Sequence, residues 1–428
     1  MSATADTIKN RRPPRETSLA DFFELPDADI FAKARAFVPF VRSNQEKGHY
    51  LYRRTLVAAS ENRVLVRDES TGREREMIMM ASNNYLGLTT HPRVVRAGLD
   101  AIREFGAGAG SVPLLAGTLD LHRRLEEKLA RFKCCEAAVI FATGYSSNVG
   151  CISALARPGD LVVNDALNHA SIIDGCRLSG ASVKAFPHNN TGSLDKLLSR
   201  IGQDHHGKLV VVDGVFSMDG DIAPLPELID ICRRHGARLM IDEAHATGVI
   251  GANGRGTPEY HGVEGQVDIV AGTLSKGLGG VGGFVASSAE VVEYIRFYAR
   301  SYMFSTALPP TVSASLLAAL EVIETEPELR NRLWSNIHYM KENLTAAGFD
   351  LGNSQTAIFP LILGDDLKVK EMGRLLHEMG IYVNPVFYPA VSRKLSRVRL
   401  SIMATHTRED LEKTVAACVE AGRAVGAL

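Results

Sequence analysis

The chain has 428 residues, 45% hydrophobic and 23% charged, and its 48 Lys and Arg against 49 Asp and Glu give a formal charge of −1. This length allows two or three domains around a large core, and the composition excludes a disulfide-stapled miniprotein, a disordered chain and a coiled coil. Because there is no basic excess, we expect no nucleic-acid-binding surface.

The N-terminal segment and the cysteines predict where the protein resides. The first thirty residues mix basic and acidic side chains and contain no apolar segment of signal-peptide length, so we expect a tail rather than a leader. The six cysteines show no C-x-x-C spacing, which is typical of reduced, buried thiols. These patterns predict a cytoplasmic protein without a metal site. Residues 1–75 are expected to form a tail and an arm that packs on the smaller domain.

The middle of the chain, from about residue 106 to residue 283, alternates short apolar runs with helical patterns. The runs are rich in β-branched residues and show no polar alternation, as expected of strands buried on both faces of a parallel sheet. This pattern predicts a large α/β domain over residues 76–310. The predicted strands are 137–141, 161–163, 209–212, 239–241 and 269–271.

A twenty-residue stretch from Ser301 to Leu320 has no charged side chain, which is long enough for a membrane-spanning helix. It contains Pro309, Pro310 and six Ser or Thr residues. We therefore expect a buried loop that runs into a helix, and no transmembrane segment.

After Pro310 the pattern changes to two longer helices, at about 311–325 and 327–347. This C-terminal part predicts a smaller α+β domain over residues 311–428, completed by part of the segment before residue 75. Its short strands are predicted near 357–363, 381–384 and 397–402, followed by a terminal helix from about Arg408.

Polar, glycine-rich turns follow four of the predicted strands. Each is weak alone, since Asp242 could be a helix cap and His169 or His245 a satisfied core histidine. In open α/β sheets, however, a ligand lies beyond the carboxyl ends of the strands, and four turns bring ionisable groups to that one edge. The first turn also opens a helix, where free N–H groups could bind phosphate. The turns are 142–148, 164–171, 213–220 and 242–245.

The segment Gly272–Gly283 follows another apolar strand and holds Lys276 among small residues. A lysine buried at a sheet edge would lose its charge readily and become a nucleophilic amine able to form a Schiff base. An alternative is a dinucleotide fingerprint, because Gly277, Gly279 and Gly282 match G-x-G-x-x-G. That fingerprint requires a helix that opens inside it, whereas an apolar Phe-Val-Ala segment follows here and predicts a return strand.

Several short motifs are spread along the chain from residue 83 onwards. They are Asn83-Asn84-Tyr85-Leu86-Gly87, Asn168-His169-Ala170-Ser171, Phe216-Ser217-Met218-Asp219-Gly220, Asp242-Glu243-Ala244-His245, Gly272-Thr273-Leu274-Ser275-Lys276, Phe304-Ser305-Thr306 and Arg397-Val398-Arg399-Leu400-Ser401. Together they resemble the α-oxoamine synthases, which are pyridoxal phosphate enzymes of fold type I. The resemblance covers the chain from about residue 75 to its end. It implies a mostly parallel seven-stranded sheet and pyridoxal 5′-phosphate as cofactor.

The resemblance implies a role for each residue around the cofactor ring. Lys276 would bond the cofactor as a Schiff base and later remove the α-proton of the substrate. Asp242 would pair with the protonated pyridine nitrogen, which makes the ring an electron sink. His169 would stack on the ring and help to orient the substrate carboxylate, while His245 and Ser217 would contact the ring hydroxyl. The implied catalytic residues are Lys276, His169 and Asp242.

The phosphate site and the subunit arrangement follow from the same resemblance. The backbone of Gly144 and Tyr145 and the hydroxyl of Thr273 would hold the phosphate. Ser305 and Thr306 would reach the phosphate of the other subunit, so the resemblance implies a homodimer with shared sites.

The resemblance also implies the reaction class. Arg399 would hold the amino-acid carboxylate as a bidentate partner, assisted by Asn83. The reaction would be a decarboxylative Claisen condensation of a small amino acid with an acyl thioester, carried by CoA or by acyl carrier protein, that gives an α-amino ketone. The chain would then be an acyltransferase.

Members of this family differ in substrate: glycine with succinyl-CoA or acetyl-CoA, alanine with a pimeloyl thioester, or serine with palmitoyl-CoA. Asn384-Pro385-Val386 and the segment 403–407 resemble bacterial serine palmitoyltransferases, whereas Tyr388-Pro389-Ala390 and Asn83-Asn84 resemble aminoketobutyrate CoA ligase. We favour L-serine with a long-chain acyl-CoA, hence sphingolipid biosynthesis. The alternatives are glycine C-acetyltransferase or amino-oxononanoate synthase activity, and a transaminase of the same fold.

Three departures from the common family pattern leave the acyl donor open. Val112 and Pro113 stand where many members have an arginine, and Asp213 replaces a frequent glutamate. Ser392 and Lys394 interrupt a usual turn. The first and last departures lie in segments that could border the entry of the acyl chain.

Overall fold

The computed structural model describes residues 18–23, 25–68, 72–202 and 204–428, so most of the predicted N-terminal tail lies outside the described residues. The helices are α1 Ala32–Glu46, α2 Pro92–Phe105, α3 Asp120–Phe132, α4 Gly144–Leu155, α5 Ala170–Ser179, α6 Thr191–Ile201, α7 Leu225–Arg234, α8 Thr257–Tyr260, α9 Ala289–Tyr298, α10 Arg300–Met303, α11 Pro310–Thr325, α12 Pro327–Ala346, α13 Asp366–Glu378 and α14 Arg408–Ala424. The strands are β1 Thr55–Leu56, β2 Arg63–Arg67, β3 Glu74–Met79, β4 Ala137–Phe141, β5 Leu161–Asp165, β6 Ser182–Phe186, β7 Lys208–Asp213, β8 Arg238–Asp242, β9 Ile269–Thr273, β10 Gly283–Ser287, β11 Ile358–Ile362, β12 Ile381–Tyr382, β13 Asn384–Val386 and β14 Arg397–Ser401.

The central element is a seven-stranded sheet with the order β4-β10-β9-β8-β7-β5-β6. Its strands are parallel except for β10, which runs antiparallel to both β4 and β9. This confirms the predicted mostly parallel sheet and the five strands expected from the apolar runs.

The strands of this sheet are apolar throughout because both of their faces are covered. In β4, Ala138 and Ile140 belong to one hydrophobic cluster, while Val139 and Phe141 belong to a second cluster on the other face. Successive side chains of a strand alternate between faces, so a strand between two cores needs apolar residues at every position. The two cores cover the faces of the sheet, so the polar turns at the ends of its strands lie along an edge.

The carboxyl ends of the parallel strands meet at one edge of the sheet. Asp213 is the last residue of β7 and Asp242 the last residue of β8, and the two are partners in the ladder. Thr273 ends β9 and pairs with Gly283 at the start of β10. The return strand predicted after the glycine-rich segment is thereby confirmed, and the dinucleotide fingerprint is wrong because a strand, not a helix, follows it.

Two smaller sheets complete the structure. One has the order β1-β2-β3-β12 and joins N-terminal strands to the C-terminal part through the parallel pair β3 and β12. The other is antiparallel, with the order β11-β14-β13. The single strand predicted near 381–384 is wrong, because β12 and β13 belong to different sheets. The chain changes sheet at Val383, whose N–H donates to Nε2 of His377 at 3.0 Å instead of to a neighbouring strand.

The C-terminal helices follow the predicted pattern. Helices α11, α12 and α14 confirm the predicted helices. The uncharged stretch begins in α10, continues through a loop and enters the buried helix α11, which confirms the predicted helix. The loop is only partly buried, since Phe304 and Thr306 are exposed. Within the parts of the chain that the structure describes, no helix combines the length and the apolar character needed to cross a membrane.

Candidate active site

A cavity of about 230 Å³ lies at the carboxyl edge of the large sheet, where the polar turns converge. Eight of the residues predicted from the sequence line it: Gly144, Tyr145, His169, Ser217, Asp242, His245, Thr273 and Lys276. The other residues that line the cavity have no catalytic or binding role predicted from the sequence: Thr143, Asn148, Ser171, Asp213, Val215, Ala244 and Ser275.

Asp242 is buried at the end of β8, and both of its carboxylate oxygens have a hydrogen-bond donor. Oδ1 accepts from the N–H of Ala244 at 2.9 Å, and Oδ2 accepts from Nδ2 of Asn148 at 2.6 Å. The first bond is made by the turn that follows the strand, and the second comes from helix α4. The carboxylate is therefore held in one orientation by two separate elements.

Lys276 lies in the loop between β9 and β10, with its Nζ 2.7 Å from Nε2 of His245. Burial, with a smaller contribution from the charge of Arg399, lowers the pKa of Lys276 to about 8 against the opposing charge of Asp242. Since an exposed lysine has a pKa of about 10.4, a much larger fraction of this amine is neutral near pH 7 to 8. A neutral amine is the form that attacks an aldehyde.

His245 is buried and uses both ring nitrogens. Its Nδ1 lies 2.7 Å from the hydroxyl of Tyr85, opposite the contact with Lys276. Burial lowers the pKa of His245 well below its usual range, and the charges of Lys276 and Arg399 act in the same direction. Burial also raises the pKa of Tyr85 to about 12. The imidazole is therefore neutral and the phenol protonated at physiological pH.

His169 stands at the start of α5, as the N-cap of that helix, and faces the cavity. Its ring packs edge-on against Tyr145, with centroids 6.5 Å apart. Partial burial lowers the pKa of His169, Asp242 opposes this shift, and Lys276 adds to it. A neutral ring at this position can stack on a flat ligand.

The first turn of α4 forms a candidate anion site beside these residues. Thr143 caps the helix and its hydroxyl oxygen accepts from the N–H of Ser146 at 3.0 Å. The first N–H groups of a helix have no partner within it, and together with the helix dipole they suit a phosphate. Gly144 is required here because a Cβ would lie 2.7 Å from Cβ of Thr273. The absence of a side chain brings α4 against the end of β9.

Arg399 and Asn83 are close to each other and near this cavity, although neither is among the residues that line it. Nη2 of Arg399 donates to Oδ1 of Asn83 at 3.3 Å. The guanidinium is buried, and in the described part of the chain its Nε has no hydrogen-bond partner. A buried, incompletely satisfied guanidinium is suited to a carboxylate ligand.

Ser305 and Thr306 lie apart from the Lys276 cavity. They line a second, smaller cavity together with His122 and Leu308. Nε2 of His122 lies 2.8 Å from the carbonyl oxygen of Leu308, which attaches this loop to α3. The structure therefore does not bring Ser305 and Thr306 to the Lys276 site of the same chain.

The residues of the cavity fit pyridoxal 5′-phosphate. A lysine of lowered pKa can bond its aldehyde, and a fixed carboxylate at Asp242 can pair with its ring nitrogen. A helix N-terminus beside Thr273 can hold its phosphate. Across the described ranges, no group of three or more His, Cys, Asp or Glu side chains is arranged to hold a metal ion.

Four residues without a role predicted from the sequence contact the candidate catalytic residues or lie beside their charges. Tyr85 and Ser171 lie inside motifs that were recognised, but their contacts with His245 and His169 arise only from the fold. Asn148 lies on α4, at the end of the predicted turn 142–148, and its position in the sequence gives no sign of its contact with Asp242. Asp213 was noted as a departure, and its burial and the nearby charge of Asp242 raise its pKa well above the usual range.

The comparisons with known proteins identify a family and several similar enzymes. The family described as aminotransferase class I and II matches residues 75–417. The 4-hydroxy-2,2′-bipyrrole-5-methanol synthase PigH of Serratia sp. is 43% identical over 434 residues, which cover 99% of this chain and 66% of that protein, so this chain spans about two thirds of its length. An 8-amino-7-oxononanoate synthase of Symbiobacterium thermophilum is 45% identical over 352 residues, 82% of this chain and 90% of that one.

The structural comparison points in the same direction. Serine palmitoyltransferase from S. paucimobilis, solved with PLP and myriocin bound, superposes with a TM-score of 0.88 and 36% identity. The match covers 94% of this chain and 100% of that one.

Proposed function

We propose a substrate pair for this chain, which belongs to the aminotransferase class I and II family and, within it, to the α-oxoamine synthases. The chain has the fold of the fold-type I pyridoxal phosphate transferases and is a C-acyltransferase with pyridoxal 5′-phosphate as its cofactor. The proposed reaction condenses L-serine with a long-chain acyl thioester. It releases carbon dioxide, the free thiol and an α-amino ketone.

The cofactor, when bound, supplies the electron sink that stabilises a carbanion at the α-carbon of the amino acid. Asp242, fixed by Ala244 and Asn148, holds the ring nitrogen. Lys276 removes the α-proton, since its pKa of about 8 makes Nζ a base near neutral pH. His245 holds Nζ in place at 2.7 Å.

Arg399 is the proposed clamp for the carboxylate of the amino acid. It is buried, its Nε has no partner among the described residues, and Asn83 orients its Nη2. Since the same carboxylate leaves as carbon dioxide late in the reaction, the clamp determines the placement of the substrate in every step before that loss. The buried pair of Arg399 with Asn83 is the main observation that supports an amino acid as the substrate.

The preference for serine and a long acyl chain rests on the structural comparison and on one local motif. Serine palmitoyltransferase matches over its whole chain at a TM-score of 0.88. Asn384-Pro385-Val386, the motif that resembles this enzyme, forms β13, which pairs directly with the Arg399 strand at Asn384 and Arg399. The motif thus lies beside the proposed carboxylate clamp.

A second candidate is amino-oxononanoate synthase activity, with alanine and a shorter thioester. Relatives named 8-amino-7-oxononanoate synthase from several bacteria are 42% to 45% identical to this chain over 80% to 89% of its length. That identity exceeds the 36% of serine palmitoyltransferase. Both candidates share every residue role given above and differ only in the substrate pair.

The decisive experiment offers the purified holoenzyme each of serine, alanine and glycine with acyl-CoAs of rising chain length and with acyl carrier protein thioesters. Free thiol and carbon dioxide released together, with serine and palmitoyl-CoA giving the highest kcat/KM, support the proposal. A maximum with alanine and a shorter thioester favours the second candidate. Release of a keto acid without thiol or carbon dioxide would contradict a synthase altogether.

We also propose that the active unit is a homodimer in which Ser305 and Thr306 complete the phosphate site of the partner. Their position in a cavity apart from Lys276 of the same chain supports a site that is shared between two subunits. Mixing Lys276→Ala with Thr306→Ala protein tests it, because one site of each mixed dimer would carry neither substitution. Recovery of activity above that of either variant alone is expected, whereas no recovery would contradict sharing of the site.

A further inference from the structure

We propose that Asn148 and Ser171 are positioning residues that fix the ring proton of His169 on Nε2, through a chain of hydrogen bonds anchored on Asp242. In the function described above, Ser171 has no role and Asn148 only fixes Asp242. The inference concerns the location of one proton in the cofactor site and does not depend on which amino acid or thioester the enzyme uses.

The first link of the chain is between Asp242 and Asn148. Oδ2 of Asp242 lies 2.6 Å from Nδ2 of Asn148, and both side chains are buried. A carboxylate can only accept a hydrogen bond, so the amide must present its NH₂ group to it. The opposite amide orientation would place two oxygens at this distance. Oδ1 of Asn148 then has no hydrogen-bond partner in the described part of the chain.

The second link is a hydrogen bond from Asn148 to Ser171. The remaining N–H of the Asn148 amide donates to Oγ of Ser171 at 2.9 Å. Ser171 is fully buried on the first turn of α5. Its hydroxyl oxygen accepts from Asn148, and its own proton is then available to another acceptor.

The third link ends at His169. Nδ1 of His169 lies 2.7 Å from Oγ of Ser171 and accepts a hydrogen bond from that hydroxyl. The backbone N–H of Ser171 also donates to Nδ1, at 3.3 Å, because His169 is the N-cap of α5. With two donors directed at it, Nδ1 must be an acceptor, so the proton of the neutral ring sits on Nε2.

The opposite tautomer conflicts with this arrangement. A proton on Nδ1 would face the backbone N–H of Ser171, and it would compete with the Asn148 amide for the same hydroxyl oxygen. Burial and the charge of Lys276 favour the neutral ring, while the charge of Asp242 opposes them. Nε2 lies on the opposite side of the ring from α5. It therefore offers a donor, and the ligand atom that meets it must be an acceptor such as a carboxylate or carbonyl oxygen.

The test reads the tautomer directly in the holoenzyme. Protein with nitrogen-15 in its histidines is examined by long-range proton–nitrogen correlation, and the His169 signals are assigned by their loss in His169→Gln. We expect the pattern of an Nε2-protonated ring. A wild-type ring protonated on Nδ1 would overturn the proposal without any variant.

Two variants test the chain itself. Ser171→Ala should give a measurable population of His169 protonated on Nδ1, and Asn148→Ala should give a smaller one. Neither variant should convert the ring fully, because the backbone N–H of Ser171 still donates to Nδ1. Ser179→Ala is the matched control: it removes another buried hydroxyl of α5, one that bonds only backbone groups, and should leave the pattern unchanged. A tautomer ratio in Ser171→Ala and Asn148→Ala equal to that of the wild type contradicts the relay. Thiol release, measured separately, reports on the proposed reaction and not on this proton.

Discussion

Nζ of Lys276 lies 2.7 Å from one nitrogen of the His245 ring, while the Tyr85 hydroxyl lies 2.7 Å from the other nitrogen. A neutral imidazole carries a single proton, so only one of these contacts can have the ring as donor. When Lys276 is an ammonium it must donate to Nε2, which places the ring proton on Nδ1, toward Tyr85. When Lys276 is a neutral amine, Nε2 can donate instead. The charge of Lys276 and the tautomer of His245 are therefore linked.

Tyr85→Phe tests this linkage. The substitution keeps the buried ring and removes the hydroxyl with its 2.7 Å contact to His245 and a longer one, of 3.4 Å, to Oδ1 of Asn83. We expect kcat/KM to fall by about tenfold, the equivalent of about 1.4 kcal/mol for one hydrogen bond. Thermal stability should change little. Tyr382→Phe, on strand β12 and outside the cavity, is the control and should keep full activity. Unchanged kinetics in Tyr85→Phe would show that the hydroxyl does not act on His245.

Lys276→Ala should abolish the visible absorption band of the bound cofactor, which borohydride bleaches in the wild type, together with all thiol release. The reason is that no other amine lines the cavity of the described structure. Lys184→Ala, on the exposed strand β6, should keep both the band and the activity. A band that persists in Lys276→Ala would refute the assignment of this lysine.

The pH dependence of Lys276 can be measured in the cofactor-free protein. Its pKa is about 8, so the rate of its reaction with pyridoxal phosphate should rise as pH increases through 8 and the neutral amine forms. Because the charge of Asp242 raises this pKa, Asp242→Asn should move the midpoint to lower pH. A midpoint near that of an exposed lysine, or an upward shift in Asp242→Asn, would contradict the geometry.

Arg399→Lys should raise KM for the amino acid by about 10- to 100-fold, because an ammonium cannot make the bidentate contact of a guanidinium. The effect on KM for the thioester should be small. Arg397, two residues earlier on β14, is a contrasting case, since its Nη1 bonds Asp219 and the carbonyl of Met218. Arg397→Lys should lower the thermal midpoint and leave KM for the amino acid near its wild-type value. If both variants raise that KM equally, Arg399 has no specific role.

His188 provides a test of stability against pH. It lies 3.1 Å from Asp165 and 2.7 Å from Asp221, and these carboxylates outweigh the effect of burial and raise the pKa of His188 to about 10. An unfolded histidine has a pKa of about 6.5, so the stabilisation is complete below that pH and disappears as pH rises through 10.

We therefore expect His188→Gln to lower the thermal midpoint strongly at about pH 6 and only weakly above about pH 10. The loss at low pH should correspond to about 1–3 kcal/mol, the scale for breaking a charged, partly buried pair. Differential scanning calorimetry at both pH values measures it, with His206→Gln as the surface control. An equal loss at both pH values would show that the charge of His188 does not contribute.

The sequence predicted the strands of the large sheet wherever both of their faces are covered. Strand β6 was missed because four of its five residues are exposed at the sheet edge and it includes Lys184. An edge strand lacks the unbroken apolar run that identified its neighbours, so composition alone could not distinguish it from a loop.

The candidate site shows a similar division. Asp242, His169 and Lys276 could be placed together from the sequence because they follow strands whose ends meet at one edge. The links made by Asn148 and Tyr85 could not, since they join residues that are far apart in the chain and depend on how α4 and the loop before α2 pack. Arg399 was assigned by resemblance, because no spacing in the sequence connects its strand to the large sheet.

The loop that carries Lys276 is closed at both ends. Thr273 and Gly283 are paired strand residues, and the N–H of Leu274 donates to the carbonyl of Gly282 at 2.9 Å just inside them. An inserted or deleted residue would therefore have to slip the β9–β10 ladder or displace the amine. Laboratory evolution of this enzyme toward new substrates should tolerate changes of residue type in the loop but not of its length. Libraries that vary length belong in the loops that no strand pair closes.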